Sequence, residues 1–164
     1  MLKFVGMFDV LLSAGFLLSA AAVFAQMPVP YGAPITGDAA KKFAAGALAE
    51  ARKNKWFMAV AIVDPAGDLV YFEKIENTQG ASVTIAVDKA RSAARFKRPT
   101  KALQDALAAG GDGLRILGLS GAVPVEGGVP ILMDGKIVGA IGVSGGTSQQ
   151  DTQCAEAGIA AAKS

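Results

Sequence analysis

The sequence predicts an α+β fold, an antiparallel sheet of about five strands sandwiched between helices. The first observation behind this is the order of patterns along the chain, which runs helix, hairpin, two helices, hairpin, helix. Hairpins make neighbouring strands antiparallel, and alanine-rich helices need a sheet to cover. The second is the stretch Gly127 to Gly146, GGVPILMDGKIVGAIGVSGG, which holds seven glycines and many β-branched residues around one Asp-Gly pair. Asp-Gly between apolar runs is the strongest short hairpin signal.

The N-terminus reads as an export signal over residues 1–25. Lys3, offset by Asp9, precedes the apolar run Val10 to Phe24, and Val23-Phe24-Ala25 places small residues at −3 and −1 before Gln26. The apolar run is shorter than the ~20 residues of a spanning helix, which favours cleavage over an uncleaved anchor. Residues 26–35 carry Pro28, Pro30 and Pro34 and read as an extended leader. Residues 36–164 then form a single domain with one core.

Each element has its own signal. Thr36 is the expected N-cap of a helix over 39–53, with Phe43, Ala44, Ala47, Leu48 and Ala51 on one stripe. Phe57 to Val63 is too short for a helix and rich in branched residues, so it reads as a strand buried on both faces. Asp64-Pro65-Ala66-Gly67-Asp68 is turn chemistry, and Leu69 to Glu76 is the returning strand. Ser82 to Phe96 is helical, with Val83, Ala86, Val87, Ala90 and Ala94 to one side. A third helix over 101–109 ends at Gly110-Gly111. Leu114 to Gly121 is ambiguous between loop and strand, and Ala122 to Val125 is expected as a short strand. Val129 to Met133 and Lys136 to Ser144 are the strands of the second hairpin. In the latter, Ile137, Gly139, Ile141 and Val143 alternate with the small face Val138, Ala140, Gly142 and Ser144, on which a helix can lie closely. Ser148 to Ala162 is the last helix, with Ser148 and Asp151 at capping-box spacing.

Composition excludes several functions. A net charge of +2 carries no nucleic-acid signature. The chain has no histidine, which removes the usual zinc sites, Ser-His-Asp triads, Cys-His pairs and His-ligated haem together. Cys154 is the only cysteine, so no internal disulfide forms. The glycine stretch has neither Walker nor dinucleotide spacing and is read as sheet packing. No acid-base pair is evident, since Asp64, Asp68 and Asp134 sit in turns. No catalytic residue and no metal site is assigned.

Two candidate ligand sites remain. Ser144-Gly145-Gly146 leads a strand into a helix N-terminus, where free N–H groups can hold a carboxylate; the plain alternative is a flexible turn. From Lys89 to Lys101 there are six bases and no acid. Arg91 and Arg95 share a helix face and suit a ligand with two carboxylates, the alternative being a solvated face.

The blocks AIVDPAGDLV, VDKARSAARFKRPT and GGVPILMDGKIVGAIGVSGGTSQQD, in that order, resemble the GlcG/HbpS-like haem-binding family from Thr36 to the C-terminus. The resemblance implies a profilin-like α-β-α sandwich with a five-stranded antiparallel sheet. It also implies homo-oligomers and the binding of haem or related tetrapyrroles, with some exported members acting in haem degradation or redox sensing. A few relatives are small-carboxylate isomerases. One member places an iron site on two glutamates where this chain has Thr84 and Val87, so that site does not carry over. Ser120 is the hydroxyl nearest the loop that offers a haem ligand in the family. Met58, Met133, Tyr71 and Cys154 are further donors suited to haem iron, each equally an ordinary core or surface residue.

The expected function is therefore that of an exported, periplasmic or secreted protein binding an anionic small molecule, haem or a related tetrapyrrole. Arg91, Arg95 and Lys97 would hold the propionates, and weak ligation or none would come from Ser120 or a methionine. It would touch a membrane only through the signal segment. One alternative is a carboxylate isomerase or tautomerase, with Lys89 or an arginine as anion clamp and Ser144, Gly145 and Gly146 over the substrate carboxylate. Another is a non-catalytic assembly module.

Overall fold

The structure, a computed structural model, describes residues 29–162. The expected signal segment lies outside the described residues. The elements are α1 (Gly37–Lys53), β1 (Ala59–Val63), β2 (Leu69–Lys74), α2 (Ala81–Arg95), α3 (Thr100–Ala108), a 3-10 segment (Gly111–Gly118), β3 (Gly128–Met133), β4 (Lys136–Ser144) and α4 (Ser148–Ala161).

The sheet order is β2-β1-β4-β3, and each neighbouring pair is antiparallel. Both hairpins form where their turn residues place them. β1 and β4 are central, which is why Ala59–Val63 is buried throughout and β4 is buried after Lys136. Alternation along β1 splits the core. Val60 and Ile62 join Ile141, Val143, Leu48 and Cys154 under α1 and α4. Ala59, Ala61 and Val63 join Ala86, Ala90, Ala94 and Ala140 under α2.

The small face of β4 does bring α2 close. A Cβ on Gly142 would run into the Ala86 carbonyl oxygen and the Ala90 amide. No side chain fits there, so glycine sets the helix-to-sheet distance. Strict alternation fails at Val138. The β3–β4 register shifts so that Ile131 faces Gly139 and Leu132 faces Ile137. Val138 is the extra residue of this bulge and packs with Ile35 in the α1–α4 core.

Four expectations are corrected. Among the described residues the sheet has four strands, not about five. Ala122 to Val125 is irregular because its hydrogen bonding goes elsewhere: Val123 N–H donates to Ser92 Oγ at 3.0 Å, Glu126 N–H donates to Gln104 Oε1 at 3.0 Å, and Pro124 has no N–H to give. Most of Leu114 to Gly121 is 3-10 helix. The capping box of α4 uses Thr147 and Gln150, one residue before the expected pair. The leader, moreover, is tied to the sheet. Pro30 and Gly32 bond to Ile137, and Ile35 bonds to Val138, extending the row beside β4 where β1 has ended at Ala140.

Candidate functional site

The sequence candidates separate into three environments. Lys89 is buried, at 1 % exposure, on the sheet side of α2. Its Nζ donates to Asp151 Oδ2 at 2.7 Å and to the Val143 carbonyl at 3.2 Å. Asp151 Oδ1 accepts the Gly146 N–H at 3.1 Å. Burial pushes the Asp151 carboxyl up, opposed by Lys89 and by the Gly146 and Gly145 amides. The turn after β4 thus holds a carboxylate, as its free amides allow, but that carboxylate is the chain's own Asp151. Ser144 is also buried, and its Oγ donates to Ser82 Oγ at 3.2 Å. Gly127 closes over the pair at φ +120°, and a Cβ there would lie 2.9 Å from Lys89 Nζ. Only glycine satisfies both the backbone angle and the space.

Arg91 and Arg95 do share a face of α2. Arg91 Nε donates to the Gly67 carbonyl at 3.1 Å and Arg95 Nε to the Ala66 carbonyl at 2.8 Å. They clamp the β1–β2 turn, which Asp64 also orders by accepting the Ala66 and Asp68 amides. Lys97 Nζ sits 4.0 Å above the centroid of Tyr31, whose hydroxyl donates to the Ala94 carbonyl at 3.0 Å. Ser120 is exposed in the loop after the 3-10 segment, beside the exposed Leu119.

The structure adds a feature that sequence reasoning missed. Two adjoining cavities, about 370 and 610 Å³, run between the leader, α1 and the β3–β4 hairpin, with Ala39, Met133 and Asp134 common to both. Pro34, Ile35, Phe43, Leu132 and Val138 give apolar walls, and Lys42 and Lys136 stand at the sides. The available signal was Leu132-Met133, two large apolar residues running into an Asp-Gly turn. They remain 38 % and 50 % exposed.

Soft and phenolic donors differ sharply in access. Met58 and Cys154 are fully buried, and burial pushes the Cys154 thiol up to about 12. The Tyr71 hydroxyl donates to Glu73 Oε2 at 2.7 Å, which keeps its proton on and its pKa raised. Met133 alone of these opens onto the groove.

A four-stranded antiparallel sheet between α1–α4 and α2, with an apolar cation-flanked groove at one end, defines a profilin-like α+β domain. Residues 35–160 match the family described as haem degrading protein HbpS-like, and the chain belongs to that family. Protein GlcG of Escherichia coli K12 is 36% identical over 95 residues, which are 58% of this chain and 69% of GlcG. The structure of HbpS superposes with a TM-score of 0.72 at 30% identity, covering 79% of this chain and 90% of that one. The haem complex of PduOC gives a TM-score of 0.71 at 26% identity, covering 78% and 94%.

Proposed function

We propose that this protein is exported and binds haem or a closely related tetrapyrrole, serving haem handling or redox sensing rather than catalysis. The observation that carries the ligand class is the match of residues 35–160 to a haem-degrading family. The groove is consistent with it. A tetrapyrrole is a flat apolar disc with carboxylates along one edge, and the groove pairs apolar walls with flanking lysines. When bound, haem supplies an iron centre able to change its oxidation state or its axial ligand. The apolar walls would pack against the macrocycle, and Lys42 and Lys136 would offset its propionates.

Titration of the purified protein with haemin tests the reading. The expected result is a saturable shift of the Soret band at one ligand per chain. A shift no larger than that given by an unrelated protein of similar size sinks it.

Export rests on the Val10 to Ala25 pattern. A homo-oligomer belongs to the same proposal, supported by Leu114, Leu117 and Leu119, which are 53 %, 70 % and 45 % exposed around the 3-10 segment. The isomerase reading is less favoured on geometry. Lys89 and the turn amides are engaged by Asp151, where a substrate carboxylate would have to displace a buried side chain, and the alternative clamps Arg91 and Arg95 each give their Nε to a carbonyl of the β1–β2 turn.

A further inference from the structure

We infer that the tetrapyrrole seats in the groove between α1 and the β3–β4 hairpin, with the Met133 thioether as an axial ligand of its iron and Lys42 and Lys136 as partners of its propionates. This rests on the reading that the protein binds haem, and adds the place and the atoms.

Donor access comes first. In the absence of histidine, sulfur and phenolate groups are the strongest donors to haem iron that the described residues offer. Cys154 and Met58 are sealed in the α1–α4 core. Tyr71 is engaged by Glu73, and Tyr31 by the Ala94 carbonyl and Lys97. Ser120 does not line the groove and offers only a neutral hydroxyl. Met133 is half exposed and lines both cavities.

Presentation comes second. Met133 is the last residue of β3 and faces Lys136 across the Asp134-Gly135 turn. Its thioether therefore stands on a paired strand rather than on a loose loop, which favours precise ligation.

Charge comes third. Lys41, Lys53, Lys89 and Lys101 have carboxylate partners. Lys42 and Lys136 have none among the described residues, and they come from opposite walls, one from α1 and one from β4. Asp134 is the acid lining the groove, and it sits at the turn. Two unpaired ammonium groups flanking an apolar slot match a disc carrying two carboxylates.

The test uses the mature protein and haemin, read by absorption in the ferric state and after reduction with dithionite. Met133→Leu keeps volume and apolarity, so the fold is expected to persist by circular dichroism. It is expected to move the ferrous Soret and visible bands away from their wild-type positions and to weaken binding by about tenfold. Met133→His, a stronger ligand, is expected to recover affinity and to give the spectrum of a five-coordinate, histidine-ligated ferrous haem. The double change Lys42→Glu with Lys136→Glu is expected to weaken binding by about tenfold through charge reversal. Arg91→Ala with Arg95→Ala, the rival propionate site, is expected to leave affinity within about twofold, because those side chains hold a turn. If the wild-type chain gives no specific Soret shift, the haem reading itself fails. If the wild type binds and Met133→Leu keeps both spectrum and affinity, haem binding stands and this site is overturned. Loss of binding with the arginine pair alone overturns it equally.

Discussion

At the scale of single residues, the buried Lys89–Asp151 pair is the least forgiving feature of the chain. Both side chains are all but inaccessible, at 2% and 4% exposure. Removing one partner leaves an uncompensated buried charge, whereas replacing both with apolar groups does not. Lys89→Met is expected to cost about 3–5 kcal/mol in urea unfolding. Adding Asp151→Leu is expected to recover a large part of that loss. Equal stability of the single and double variants would show that the two groups are uncoupled. Cys154 gives a pH prediction. Its folded thiol ionises at about 12 against 9.0 in the reference state. Below about pH 9 both states hold the proton and Cys154 contributes no pH dependence. Above that the unfolded chain sheds it first, so stability falls as pH rises, by up to about 1.4 kcal/mol per pH unit. Cys154→Ala is expected to fall less steeply between about pH 9 and 10.5 in paired urea titrations.

At the scale of elements, the contact between β4 and α2 depends on Gly142. Gly142→Ala would push Cβ into the backbone of α2 at Ala86 and Ala90. Backbone cannot yield as a flexible side chain does, so the loss is expected at about 1–3 kcal/mol or above, read from the denaturant midpoint. An unchanged midpoint would mean that α2 can slide on the sheet. Element identity was largely legible because its signals are local. Asp134-Gly135 and the Asp64–Asp68 turn made both hairpins, and Thr36 capped α1 as expected. One failure has a non-local cause and one a local cause. Ala122 to Val125 has strand-like residues, but Ser92 and Gln104, from two different helices, take its neighbourhood's amide protons. The cap of α4 moved one residue because Thr147 and Gln150 satisfy both halves of the box.

At the scale of the whole molecule, export predicts a mature chain beginning at Gln26 when the protein is recovered from outside the cytoplasm. Intact mass settles it: a species retaining residues 1–25 would contradict cleavage. The candidate site was only half legible at this scale. Arg91 and Arg95 were visible as a pair four apart, yet their Nε atoms are turned to the Gly67 and Ala66 carbonyls. Lys89 was visible as a base, yet its burial follows from Asp151, far along the chain at the start of α4. The groove was not visible, because its walls come from the leader, α1 and a hairpin nearly a hundred residues on.

The sequence by itself determined the helices, the hairpins, the antiparallel sheet and the family, because capping, periodicity, turn chemistry and motif order all act between near neighbours. Tertiary structure decided which charges are spent internally and which face a cavity. An ammonium group does one thing beside a buried carboxylate and another beside an apolar slot, and only the packing of distant segments chooses between them.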